Sequence, residues 1–137
     1  MGGDEVIVLD THTLVWLDQG SERLGKTARQ TIDRAYESEG LSVSAISFWE
    51  LAVLKSKGRI ELPPLRKWRQ DLIDMGLIEF PVSGDIGISS AELTNFHPDP
   101  ADRLIIATAL WQDATLLTAD KRILEWGGTL ERLDARK

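Results

Sequence analysis

The chain of 137 residues contains no cysteine. That excludes a disulfide framework and any thiolate metal site, and it suits a reducing compartment. Long apolar runs are also missing; none approaches the ~20 residues of a membrane span. The start, Met1-Gly2-Gly3-Asp4-Glu5, has acids where a secretory signal needs a basic stretch followed by an apolar one. The expectation is a cytoplasmic protein with no membrane association. An excess of positive charge is lacking too: 16 Lys and Arg stand against 22 Asp and Glu, a net charge of −6. Proteins that coat nucleic acid are basic, because neutralising phosphate drives their affinity. A passive coating role is therefore disfavoured. A nuclease is not, because an acidic metal site brings negative charge that bound cations offset. What is present is ordinary globular composition, 42% hydrophobic and 28% charged, enough for one core at this length.

A single domain spanning 1–137 is expected, with 1–4 and 134–137 as mobile ends. Val6-Ile7-Val8-Leu9 is a short β-branched run and predicts a buried strand. Further strands are predicted at Leu41–Ser44, Leu77–Val82 and Thr115–Thr118, with an edge strand at Leu130–Leu133. Between them the apolar spacing predicts helices. Thr13–Asp18 is one, and a second carries Ala28, Ile32, Ala35 and Tyr36. A third runs from Ile46 to Lys57, and a fourth opens at Pro63-Pro64. Residues 83–95, the stretch from Pro100 through Trp111, and Arg122–Trp126 complete the set. Trp16, Trp49, Trp68 and Trp111 lie at helical spacing beside Leu and Ile and are read as core. Six basic residues, Lys55, Lys57, Arg59, Arg66, Lys67 and Arg69, crowd one stretch against the single acid Glu61. A solvated edge explains them as well as a binding patch does.

Strands alternating with helices predict a mainly parallel sheet with helices on both faces. Ligands of such folds sit beyond the carboxyl ends of the strands. Asp10 ends the first strand and Asp120 follows the fourth. Glu50 and Asp102 lie in the first turns of helices that start at the same rim. Each acid has a simpler reading. Asp10 and Asp120 could be helix caps. Ser47 and Glu50 have capping-box spacing. Asp102 suits a helix dipole. Capping alone does not explain why all four starts share one edge. Four gathered carboxylates repel unless cations neutralise them, and hard oxygen donors suit Mg²⁺ or Mn²⁺. Supporting candidates are Thr118, Asp99 and Arg103, each with a plain structural alternative. Thr118 could be an ordinary strand residue, Asp99 a turn former between Pro98 and Pro100, and Arg103 the partner of a nearby acid. His12 and His97, beside Asp10 and Asp99, are either structural or helpers of metal and substrate.

Four blocks carry a resemblance. They are Val8-Leu9-Asp10-Thr11-His12-Thr13-Leu14-Val15-Trp16, Val43-Ser44-Ala45-Ile46-Ser47-Phe48-Trp49-Glu50-Leu51-Ala52, His97-Pro98-Asp99-Pro100-Ala101-Asp102-Arg103-Leu104-Ile105-Ile106-Ala107 and Leu117-Thr118-Ala119-Asp120. In this order, each with its acid, they resemble the PIN-domain ribonucleases, and among these the VapC toxins of toxin–antitoxin pairs. The resemblance implies a PIN-like three-layer α/β sandwich. It implies cleavage of RNA dependent on Mg²⁺, with Mn²⁺ as substitute. Asp10, Asp102 and Asp120 would hold metal, and Glu50 would act directly or through water. It further implies a VapB-type antitoxin and a homodimer. Two rival readings are a catalytically silent PIN-like module that binds RNA or protein, and a receiver-like signalling domain. The intact acid set opposes the first. Against the second, Leu41-Ser42-Val43-Ser44 ends without a phosphoacceptor Asp.

Overall fold

The computed structural model describes residues 5–137; the expected mobile end at 1–4 lies outside the described residues. The elements in chain order are β1 (Ile7–Leu9), α1 (Thr11–Gln19), α2 (Lys26–Glu37), β2 (Leu41–Ser44), α3 (Ile46–Ser56), α4 (Leu65–Asp74), β3 (Ile78–Phe80), α5 (Gly84–Glu92), α6 (Pro100–Trp111), β4 (Thr115–Thr118), α7 (Lys121–Leu124) and β5 (Arg132–Asp134). They form one five-stranded sheet in the order β3-β2-β1-β4-β5. Every pairing is parallel, as the alternation of strands and helices predicts.

The sheet is buried on both faces, which is why its strands read as continuous apolar runs rather than alternating ones. Successive side chains still point to opposite faces. Ile7, Leu9, Val43 and Leu117 join one core with Leu14, Ile32, Leu51 and Leu72. Val8 and Leu116 join the other, with Ile105, Ile106, Ala109 and Ile123. The result is a three-layer sandwich. From β1 the chain moves outward to β2 and β3, then returns to place β4 on the other side of β1. That reversal opens a crevice at the carboxyl ends of β1 and β4, the place where open α/β sheets take ligands.

Several local features differ from the sequence reading. Helix α1 starts at Thr11, two residues early, because Asp10 caps it. The last strand is shifted to Arg132–Asp134, pairing Leu117 with Leu133. Trp49 and Trp111 are exposed, at 56% and 54%, while Trp68 and Trp126 are buried. An aromatic at helical spacing fits a core, but α3 and α6 each have an outer face as well. The basic stretch is a solvated edge in large part. Lys67 pairs with Asp71, Arg69 with Glu79, and Lys55 donates to the Pro63 carbonyl at 3.0 Å.

The end expected to be mobile at 134–137 is fastened. Ala135 is fully buried, and its N–H donates to the Thr118 carbonyl at 2.8 Å. The Gly25 and Thr27 N–H groups donate to the carbonyls of Ala135 and Lys137 at 2.8 and 2.9 Å. Helix α2 has no side-chain cap. The polar tail therefore supplies acceptors that the orphan N–H groups of a helix start need. Gly25 makes this approach feasible, since a Cβ there would collide with the backbone of Arg136 and Lys137. We predict that Gly25→Ala costs about 1–3 kcal/mol through this overlap. Urea unfolding of both proteins measures it; an unchanged midpoint would show that the tail does not need the contact.

Candidate active site

The site is built on the ends of β1 and β4. The Asp10 N–H continues the parallel ladder, donating to the Leu117 carbonyl at 3.0 Å. Its carboxylate accepts from the Thr11 N–H at 2.7 Å through Oδ1 and from the Thr118 hydroxyl at 2.5 Å through Oδ2. It is buried, at 6% exposure, and held at both oxygens. The Thr118 oxygen in turn accepts from the Asp120 N–H at 3.0 Å. One hydroxyl thus ties the first acid to the backbone of the fourth. Thr118 meets a carboxylate, the more specific of the two readings of that residue.

Asp120 caps α7, accepting from the Arg122 N–H at 2.8 Å. Asp102 sits in the first turn of α6 but caps nothing. Asp99 is the cap, accepting from the Asp102 N–H at 3.2 Å, with Pro100 opening the helix. Asp102 Oδ2 lies 3.2 Å from His97 Nε2, a pair not aligned as a hydrogen bond. Glu50 departs from its capping-box reading. Ser47 lies inside α3, bonded to the Thr11 hydroxyl at 2.8 Å, and α3 has no side-chain cap. Glu50 Oε1 is buried without a hydrogen-bond partner.

These side chains line one open cleft of about 330 Å³. Asp10, Glu50, Asp99, Asp102 and Asp120 give it negative charge; His12, Arg122 and Arg136 are the basic groups on its walls. Arg103 is not among them. Its guanidinium donates to the carbonyls of Ser90, Leu93, Phe96 and His97 at 2.6 to 3.3 Å and braces the loop between α5 and α6. It is therefore neither a phosphate contact nor the partner of a neighbouring acid. Trp16, Arg122 and Arg136 were not legible as site residues. Arg136 lies over the Trp16 ring at 5.7 Å and donates to the Ala119 carbonyl at 2.7 Å. For Arg122 the signal was its place two residues after a capping Asp.

Crowding acids in a buried place shifts their protonation. Burial pushes Asp102 up to about 8, and the charges of Asp10, Asp99, Asp120 and Glu50 add to the rise. Burial also raises Asp10 against the pull of its Thr118 and Thr11 hydrogen bonds. It raises Glu50, with Asp10 adding and Thr11 opposing. Asp120 goes down: burial pushes it up, but hydrogen bonds and charge from Arg122 outweigh that. For Asp102 the sign of the linkage follows directly. The folded chain holds the proton where the unfolded chain, with an ordinary value near 3.8, has released it. The stabilising contribution is complete below about pH 4 and is lost as pH rises through about 8. We predict that metal-free Asp102→Asn matches wild type near pH 4 and is the more stable protein at pH 8. Urea titrations in chelator across that range test it; a gap that does not widen with pH would contradict the raised value.

The PIN domain family matches residues 7–128. Ribonuclease VapC22 of Mycobacterium tuberculosis is 36% identical over 119 residues, covering 85% of this chain and 88% of that protein. Two solved structures share the fold. A toxin–antitoxin complex from Klebsiella pneumoniae has a TM-score of 0.62 at 22% identity, covering 94% of this chain and 97% of that one. VapBC2 from Rickettsia felis, bound to a DNA fragment from its promoter, has a TM-score of 0.67 at 18% identity, covering 94% and 99%. The family match spans β1 to β4 and all four acids, and on that basis the chain belongs to the PIN-domain family.

Proposed function

We propose that the chain is an endoribonuclease that depends on a divalent metal and acts as the toxin of a toxin–antitoxin pair. The observation that carries the proposal is the meeting of Asp10, Glu50, Asp102 and Asp120 in one cleft with a buried carboxylate oxygen left over. A structural cluster would be expected to pair its acids internally, because an unsatisfied buried group is costly. RNA as the substrate is supported by the name of the VapC22 relative. A VapB-type antitoxin is supported by the toxin–antitoxin complexes among the structural neighbours. A homodimer and a cytoplasmic setting belong to the same proposal. No helix among the described residues is long and apolar enough to cross a membrane.

The donor set fits Mg²⁺, with Mn²⁺ as substitute. Every acid offers hard oxygen, no thiolate exists, and Asp102 is raised by burial first and then by the charge of neighbouring acids, a repulsion that a cation relieves. Asp10, Asp102 and Asp120 would hold the ion, with Glu50 completing the set directly or through water. When bound, such an ion stabilises charge on a phosphodiester and makes water more acidic. The chain's own residues do the rest. Thr118 and the Thr11 N–H hold Asp10 in a single orientation, so its position needs no rearrangement during reaction. Asp99 fixes the start of α6 and with it Asp102. Glu50, free of hydrogen bonds at Oε1, accepts the proton of the attacking water. That water's oxygen bonds to phosphorus as the bond to the departing ribose oxygen breaks; the ribose oxygen takes up a proton from solvent water, and Glu50 returns the one it accepted to solvent.

Two outcomes are expected. Antitoxin-free protein incubated with total cellular RNA should cut it with Mg²⁺ or Mn²⁺ and stop in chelator. Asp10→Asn and Asp102→Asn should each lower the rate on the order of 100-fold or more. Wild type that cuts no RNA, indistinguishable from the two variants, would sink the nuclease reading. Metal binding should also tighten with pH. Asp102 must lose its proton to act as a ligand, so Mn²⁺ affinity rises about tenfold per pH unit from pH 6 towards 8. Calorimetric titration at three pH values reads this directly, and a flat profile counts against Asp102 as a ligand.

A further inference from the structure

The cleft contains its own cation. Arg122 Nη2 lies 3.3 Å from Asp120 Oδ2 and 3.4 Å from Asp102 Oδ2. It bridges carboxylates from two elements, α6 and the start of α7. Among the described residues no other Lys or Arg comes within 4.0 Å of a cleft carboxylate. Arg136 is engaged with the Ala119 carbonyl and Arg103 with the loop before α6.

The bridge is loose. Arg69 grips Glu79 through two hydrogen bonds of 2.6 and 2.7 Å. The Arg122 contacts are longer, and its side chain is 61% exposed while those of Asp102 and Asp120 are 10% and 22% exposed. Exposed pairs of this kind hold weakly. Ligand atoms of His97, Asp102 and Asp120 lie within 4.8 Å of one another, close enough for one ion to reach all three. An ion of double charge, approaching carboxylate oxygen to about 2.1 Å, competes for the same oxygens far better than a guanidinium at twice its charge-to-charge distance or more.

We propose that Arg122 is a displaceable counter-ion that becomes a phosphate-binding arm. In the metal-free chain it screens Asp102 and Asp120 from each other. A divalent ion takes its place, and the guanidinium, anchored by α7 beside the cleft, turns to an RNA phosphate. Its planar fork of donors matches phosphate oxygens, which a lysine in the same position would meet only as a point charge. This inference rests on the nuclease reading above, and it adds a substrate contact from the chain's own basic residues.

The test separates the two. Mn²⁺ is titrated into RNA-free protein at pH 8 and followed by electron paramagnetic resonance, for wild type, Arg122→Gln and Lys121→Gln. The Lys121 variant removes the same charge one residue away, from a side chain directed to Glu125. Arg122→Gln should bind Mn²⁺ roughly threefold to tenfold more tightly than both others, since a competitor has gone. A purely structural arginine would leave the affinity unchanged or weaker. RNA binding should move in the opposite direction. With Ca²⁺ saturating, a mixed-sequence single-stranded RNA dodecamer followed by fluorescence anisotropy should bind Arg122→Gln several-fold more weakly. The dependence of log affinity on log salt should fall by about one. Arg122→Lys should recover the metal competition but only part of the RNA affinity. Equal Mn²⁺ affinity in all three proteins, or unchanged RNA binding, overturns the role of Arg122 and leaves the nuclease reading intact. Wild type that takes up no Mn²⁺ overturns both.

Discussion

The hydrogen bond from the Thr118 hydroxyl to Asp10 is the contact on which the cleft depends. It joins the ends of two strands that are neighbours in the sheet but far apart in sequence. The same oxygen receives the Asp120 N–H, so the direction of the chain leaving β4 is fixed by the group that fixes Asp10. A buried carboxylate held at both oxygens cannot swing away from its neighbours to relieve repulsion. The strain of gathered charge must be met by other means: a proton on Asp102, the guanidinium of Arg122, or a cation from solution.

Helix starts provide the rest of the placement. Asp10 and Asp120 each accept a backbone N–H as a cap and also face the cleft. Capping and a role in the site are therefore not rivals at these two positions. At Asp102 and Glu50 the argument divides differently. Asp99 takes the cap of α6, and α3 has none. Capping therefore explains two of the four acids, the first-turn place of Asp102 on α6 suits the helix dipole, and Glu50 is left without a local reason. Burial raises Asp102 and Glu50, as it raises Asp10 in spite of its two hydrogen bonds, whereas Arg122 draws Asp120 down.

Much of this was legible from residue types and spacing. β1 and β4 were readable because a fully buried parallel strand is a short apolar run with no alternation. The rim position of Asp10 and Asp120 followed from where those runs stop. Asp99 could be read as a turn former or as a neighbour of the cleft, but its prolines signal a bend and not which acid will cap. What was hidden depends on contacts between distant segments. Spacing cannot say whether Trp49 faces inward, because α3 offers two sides and the chain that covers one of them comes later. Arg103 follows a site acid directly, yet in a helix adjacent side chains point about 100° apart, and its guanidinium reaches a loop instead. The polar stretch after β5 suggested a loose end. Its order comes from backbone carbonyls meeting the start of α2, a bond that side-chain composition does not report.

The raised Asp102 has a consequence for anyone making this protein. Burial and neighbouring charge at Asp102 oppose the fold, so a chain with Asn in its place is relieved of that cost and folds at least as well at neutral pH. Protein quality control, which discards poorly folded chains, has no reason to remove such a variant. Expression yield and melting temperature then rank an inactivated clone equal to or above the intact one, and a screen for robust material drifts toward silent protein unless the acids are sequenced.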